Sequence, residues 1–368
     1  MARPRILVID VGTGTQDILV FEAGTLIENA VQLIMPSPTA LLAERIKQAT
    51  QDRVDLVLTG VTMGGGPDHW AVEAHLRSGL NVYATPDAAR TFDDDLDRVV
   101  ATGIRIVDRP DDVNGARRLE LRDFYLAELI QALRAFGVST VFDAVAVAVF
   151  DHGAAPPGVS DRRFRFDYLR DQVERGTGLE GFGFLAAEIP ARMTRMQAVA
   201  GSWTGPEPLF LMDTAPAAIL GALDDAVVGA TDPVVVLNLG NFHTIAALLD
   251  GRRIGGLLEH HTGELTRAKL ERYLDALAAG TLSNDQVFDD MGHGALELGA
   301  NARSPKGLAV TGPRRGLLDG SPLHPHLAVP HGDMMLAGCF GLLRALTTWL
   351  PEFAPAIEAQ LGARVPRP

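Results

Sequence analysis

At 368 residues the chain is long enough for two domains of ordinary size, and with 47% apolar and 21% charged residues it reads as globular rather than disordered. Its net charge of -13 argues against nucleic acid or an anionic membrane surface as the main partner. Cys339 is the single cysteine, which excludes an intrachain disulfide and an iron–sulfur cluster held by the chain's own cysteines.

No apolar run approaches the ~20 residues of a membrane-spanning helix. The longest candidate, Val141–Phe150, already holds Asp143. Arg3 and Arg5 precede an apolar run in the manner of a signal peptide, but Asp10 interrupts it and no cleavage pattern follows. The expectation is a cytoplasmic protein acting on a small molecule, with no nucleic-acid or membrane partner and with homo-oligomerisation left open.

Two apolar runs, 6–9 and 18–21, flank the polar hinge Asp10-Val11-Gly12-Thr13-Gly14-Thr15-Gln16-Asp17, which predicts strand, tight turn, strand. Glycines in the turn allow close backbone approach, and successive amides there can converge on an anion with the Thr13 and Thr15 hydroxyls. Asp10 ends the first strand, where a carboxylate can hold a divalent cation through water. An ordinary glycine turn fits the same residues.

The pattern then predicts a third strand over 25–34, a helix over 39–48 with Leu42 and Ile46 on one face, and strands over 54–58 and 80–84 separated by a glycine loop (64–66) and a helix over 68–78. These strands are expected in one mixed sheet with the first three, covered on both faces. A short helix is predicted over 94–100, a long one over 117–136 and a buried strand over 140–150 ending at Asp151-His152-Gly153. In Asp161-Arg162-Arg163-Phe164-Arg165-Phe166, an extended backbone would put Arg163 and Arg165 on one face, whereas a helix start would not. Residues 176–206 resist assignment. A small-residue helix follows the polar cap Asp213-Thr214.

The opening theme then returns. Strands over 234–237, 245–249 and 252–258 surround the turn Asn238-Leu239-Gly240-Asn241-Phe242-His243-Thr244, and a helix over 264–278 follows, in the order of residues 5–49. A strand over 307–311 runs into Gly312-Pro313-Arg314-Arg315, an apolar helix over 332–349 carries Gly338 and Gly341, and the tail ends in a frayed segment, 364–368.

These pieces, in this order, resemble the actin, heat-shock chaperone and sugar-kinase superfamily of ATPases. The resemblance implies an α/β fold: a duplicated, two-lobed actin-like ATPase with mixed sheets flanked by helices and a central cleft. It implies an N-terminal lobe over 1–225, a C-terminal lobe over 226–335 and a helical segment over 336–368 packing back between them. It also implies ATP and Mg²⁺, with Gly12, Thr13, Gly14, Thr15 and Asp17 in a first phosphate loop, Gly240, Asn241, His243 and Thr244 in a second, and Gly312 and Arg315 in an adenosine loop. Asp10 would hold the metal, and Asp213 would orient or deprotonate the nucleophile. Asn238 stands where the superfamily usually has Asp, and Pro313 replaces a usual glycine.

The strings Phe150-Asp151-His152-Gly153, Glu259-His260-His261-Thr262-Gly263, Met291-Gly292-His293-Gly294 and Val310-Thr311-Gly312-Pro313-Arg314 are similar to those of an uncharacterised family catalogued as "putative pyruvate formate-lyase-activating enzyme". That title implies a cysteine-bound radical cluster, which one cysteine cannot build.

His152, His243, Glu259, His260, His261, Asp290 and His293 lie at predicted strand ends or in loops. Three readings stay open: hydrogen-bonded structural groups, a substrate site shared with Arg163 and Arg165, or ligands for zinc, manganese or iron. Adjacent His260 and His261 point to opposite faces of a strand and do not share one ion. The leading expectation is an ATP-dependent phosphotransferase or related enzyme acting on a small polar metabolite. A metal-dependent hydrolase and a non-catalytic nucleotide sensor are the alternatives.

Overall fold

Ile6–Ile9 are buried on both sides of their strand, so the strand needs neighbours at each edge. In the computed structural model, which describes residues 3–156, 158–251, 253–297 and 303–362, they form β1 (Arg5–Val11). The chain turns into β2 (Thr15–Glu22) and β3 (Val31–Pro36), each antiparallel to the strand before it. The third strand starts later than the pattern predicts because residues 27–29 form a helical turn that buries Ile27. Ser37 then caps α1 (Pro38–Gln51), with Pro38 in its first turn.

The next four strands are β4 (Leu56–Gly60), β5 (Val82–Ala84), β6 (Arg105–Ile106) and β7 (Arg117–Leu121). The helices α2 (Pro67–Arg77), α3 (Pro86–Ala89) and α4 (Leu96–Ala101) lie between them. They do not join the first sheet. They make a separate parallel sheet, ordered β6-β5-β4-β7, with its own core of Leu42, Ile46, Leu56, Leu58, Val72 and Val82. The long helix over 117–136 is likewise corrected. Arg117–Leu121 pairs along β4, and only Leu126–Ala135 is helical, as α5.

The first sheet resumes with β8 (Ala144–Val149), α6 (Asp161–Glu174), β9 (Gly183–Leu185), α7 (Thr194–Gly201), β10 (Leu209–Asp213) and α8 (Thr214–Ala222), giving the order β3-β2-β1-β8-β10-β9. After α9 (Ala226–Ala230) come β11 (Val234–Leu239), β12 (His243–Asp250), β13 (Arg253–His261), α10 (Arg267–Ala279), α11 (Asn284–Phe288), β14 (Gly294–Glu297), β15 (Gly307–Thr311) and β16 (His326–Leu327). Their sheet is ordered β14-β13-β12-β11-β15-β16. Each of the two six-stranded sheets thus has an antiparallel three-strand meander whose first strand pairs with a parallel strand that is followed by a second, β8 then β10 in one and β15 then β16 in the other. The two six-stranded sheets repeat one α/β topology, the duplication that the sequence pattern predicts. Arg252 and the tail 364–368 lie outside the described residues.

α12 (Ala337–Trp349) and α13 (Ala354–Leu361) close the chain. α12 crosses α8 at backbone contact distance: a Cβ on Gly221 would fall on the Ala337 carbonyl, and one on Gly341 on the Ala217 carbonyl. Both helices sit in the core that spans the two large sheets. Among the described residues, no helix is long and apolar enough to cross a membrane. Since the Cβ would meet backbone rather than a movable side chain, Gly341→Val is expected to destabilise the protein by at least about 2 kcal/mol through overpacking. A urea midpoint equal to wild type at unchanged slope would contradict the crossing.

Candidate functional site

The two glycine turns are built alike. The Gly12 amide donates to the Thr15 carbonyl at 2.9 Å, and the Gly240 amide to the His243 carbonyl at 3.0 Å. β1 and β11 carry these turns to the same place. Gly14 abuts Asn241 so closely that a Cβ there would overlap the Asn241 side chain. Gly12, Thr13, Gly240 and Asn241 line one cleft of about 100 Å³, which also holds Asp10, Asp17, Asn238, Thr311 and Gly312. Because Gly12 and Gly240 use their amides to close the turns, the amides left for an anion are those of residues 13, 14, 241 and 242.

Asp10 and Asp17 face each other across the β1–β2 pair. Asp10 accepts a 2.5 Å hydrogen bond from Thr214, and Gly338 of α12 makes room for its carboxylate. Burial pushes the Asp10 carboxyl up to about 7, opposed by the Thr214 hydrogen bond and helped by the charge of Asp213. Burial and the Asp10 charge push Asp17 up to about 8. Asp17 Oδ1 is buried without a hydrogen-bond partner, as is Thr311 Oγ1 on the opposite side of the cleft. Two facing carboxylates with unmet demand for positive charge fit a divalent cation.

Asp213 has a different task from the one the resemblance implies. It is fully buried, caps α8 through the Ala215 amide, and accepts a 2.6 Å hydrogen bond from Arg165. It does not line the cleft. Arg165 also grips Glu259 with two 2.7 Å hydrogen bonds, so one guanidinium joins α6 and β10 to β13 of the other large sheet. Burial works against the Arg165 charge, and Asp213 and Glu259 overcome it, so its pKa is raised. The segment around it is helical, which places Arg163 about 200° away around the helix axis. Arg163 is exposed, 3.9 Å from Asp285 and stacked on Phe288. Arg163 and Arg165 therefore form no common substrate site, and Arg165 is consumed within the core.

The histidines divide in two. His260 faces α10, its ring 5.8 Å from Tyr273, with Asp290 held by Lys269 and Tyr273 behind it. His152, His243 and His293 converge on the other face of β13, with His261 beside them at 4.5 Å between its ring centroid and that of His293. Nε2 of His152 lies 3.1 Å from Nε2 of His293, and Phe150 stacks on His243 at 4.1 Å. Burial, then the nearby cations Arg165 and Arg195, lower the pKa of His152 to about 3. Burial and the neighbouring histidines lower those of His243 and His293 well below the usual value. All three are neutral imidazoles at pH 7.

A second cavity, of about 430 Å³, lies beside the cleft and shares Thr13, Phe150, Arg195, Phe242 and His243 with it. His152, His261, Asp94 and Asp161 line its far side. Arg315 lies outside the lining of both spaces and donates to the Gly312 carbonyl. Thr244 is buried and bonds to Thr262. Sequence reasoning misses Arg195, which lines both spaces and is oriented by the buried Asp123 at 2.7 Å. It also misses Phe242 and Phe150. The glycines beside loop 238–244 flag Phe242, but nothing local marks Arg195.

Among curated proteins, none matches the chain. Among solved structures, a crystal structure of an exopolyphosphatase-like protein aligns over 99% of this chain and 93% of its own at 11% identity and a TM-score of 0.27. A score that low carries no argument, and the fold rests on the strand order above. A family model described as "Putative pyruvate format-lyase activating enzyme (DUF1786)" matches residues 63–317, well over half of the sequence, and the chain belongs to that family.

Proposed function

We propose that the protein is an ATP-binding phosphotransferase or related ATP-dependent enzyme that acts on a small polar metabolite between its lobes. The observation that carries this reading is the meeting of two like-built glycine turns over a cleft floored by Asp10 and Asp17. Amides of residues 13, 14, 241 and 242 would hold phosphate oxygens, and Asp10 and Asp17, directly or through water, would hold Mg²⁺. When bound, the ion would neutralise phosphate charge. Gly312 marks the end of the cleft where the nucleoside would lie. The second cavity opens onto the same turns, so a metabolite there would meet the terminal phosphate across Thr13 and His243. The activity named in the family's description is not carried over, because one cysteine, Cys339, cannot hold an iron–sulfur cluster.

Saturating ATP with Mg²⁺ is expected to raise the melting temperature of wild type by roughly 3–4 °C, the shift for about 2.7 kcal/mol of binding linkage in a chain of this size. Asp10→Asn is expected to lose most of that shift, and an equal shift in both proteins would contradict the assignment. The raised carboxyls give a second expectation. The folded state keeps protons on Asp10 and Asp17 up to about 7 and 8, whereas the unfolded chain releases them near 3.8. The contribution of this pair to stability, without divalent cations, should therefore fall as pH rises from 4 to 8, opposite in sign to that of the buried neutral histidines. Asp17→Asn should therefore gain stability relative to wild type across that window; a melting-temperature difference between the two that stays constant from pH 4 to 8 would contradict it.

A further inference from the structure

We infer that His152, His243 and His293 bind one divalent transition-metal ion of the zinc class in the wall between the phosphate cleft and the second cavity. The three come from separate places: the loop after β8, the start of β12 and the residue before β14. Each brings one ring nitrogen to within 4.8 Å of the other two. Zn–N bonds of about 2.0–2.1 Å on a tetrahedron place ligand nitrogens about 3.3 Å apart. His152 and His293 already stand at 3.1 Å. A hydrogen bond accounts for that pair alone. It does not explain why His243 is aimed at the same point, its ring fixed by the parallel Phe150 at 4.1 Å.

The surroundings support a metal site as well. His293 Nδ1 is buried without a hydrogen-bond partner and lies 3.6 Å from Glu259 Oε1. A carboxylate behind the non-ligating nitrogen is the usual second partner of a metal-bound histidine. Glu259 is itself clamped by Arg165, so the support is rigid. His152 and His243 line the second cavity, which leaves the fourth coordination position facing that space. Three protein ligands with an open position are the pattern of a site that takes water or substrate rather than of a closed structural site. The occupant of the fourth position would be an oxygen atom of a small metabolite. The site stands on imidazole geometry and does not require a nucleotide in the adjacent cleft.

The test uses the full chain free of any polyhistidine tag, stripped with a chelator and titrated with Co²⁺ while visible absorption is recorded. One equivalent per chain is expected to give the intense bands of a four- or five-coordinate ion, whereas an ion held by Asp10 and Asp17 through oxygen and water would absorb weakly. His243→Gln and His293→Gln should each weaken binding by at least about 100-fold, the upper end of what loss of an outer partner costs. Asp10→Asn should give the same intense Co²⁺ bands with the same affinity as wild type even where it loses the nucleotide response, which separates this site from the phosphate cleft. X-ray absorption of the wild-type zinc complex reads the ligands without substitution, and three imidazole nitrogens near about 2.0–2.1 Å are expected. Folded wild type that takes up no stoichiometric metal, histidine variants that bind equally well, or an oxygen-only ligand shell would overturn the site.

Discussion

The structure depends on how closely two helices cross. α8 and α12 touch backbone to backbone because Gly221 and Gly341 carry no side chain. Each helix follows the last parallel strand of one large sheet, so this contact fixes the distance between the sheets. It also fixes the cleft: Gly338, on the same helix, lies against the Asp10 carboxylate, and Thr214, at the start of α8, donates to it. A wider crossing would separate Asp10 from both neighbours and draw the Gly14 backbone away from Asn241.

A second tie runs through charge. Arg165 is fully buried and paired with Asp213 from β10 of one large sheet and Glu259 from β13 of the other. Buried ion pairs of this kind specify an arrangement more than they add stability, because desolvation offsets most of the attraction. Here the arrangement specified is the approach of β13 to β10. That approach brings His293 and His243 up to His152, and it sets the histidine cluster beside the two glycine turns. Asp10 and Asp17 are the opposite case, buried carboxylates with no salt-bridge partner among the described residues. The cleft therefore stores an electrostatic demand that the Arg165 triad has already met.

What could be read from the sequence was local or repeated. The β1–β2 hairpin, its copy at β11–β12, the Asp213 cap and the small faces of α8 and α12 all declare themselves within a dozen residues. What could not be read depended on period or on distance along the chain. Arg163 and Arg165 share a face only in a strand; the alternation of Arg and Phe left a strand and a helix start both open, and α6 is the helix. The strands at 56–60 and 82–84 carry no mark of which sheet they join, since a parallel strand buried on both faces looks the same in either. Arg195 is held by Asp123, 72 residues away, and His152 meets His293 across 141 residues. No spacing rule reaches that far, and for that reason the histidines match no metal motif while their nitrogens converge.

The central claim is that the two turns clasp one polyphosphate. A crystal structure with a non-hydrolysable ATP analogue and Mn²⁺ tests it most directly. Phosphate oxygens should lie within hydrogen-bond reach of the amides of residues 13–14 and 241–242 together, with manganese anomalous signal beside Asp10 and Asp17. An analogue bound to one turn alone, or a manganese peak away from both carboxylates, would contradict it.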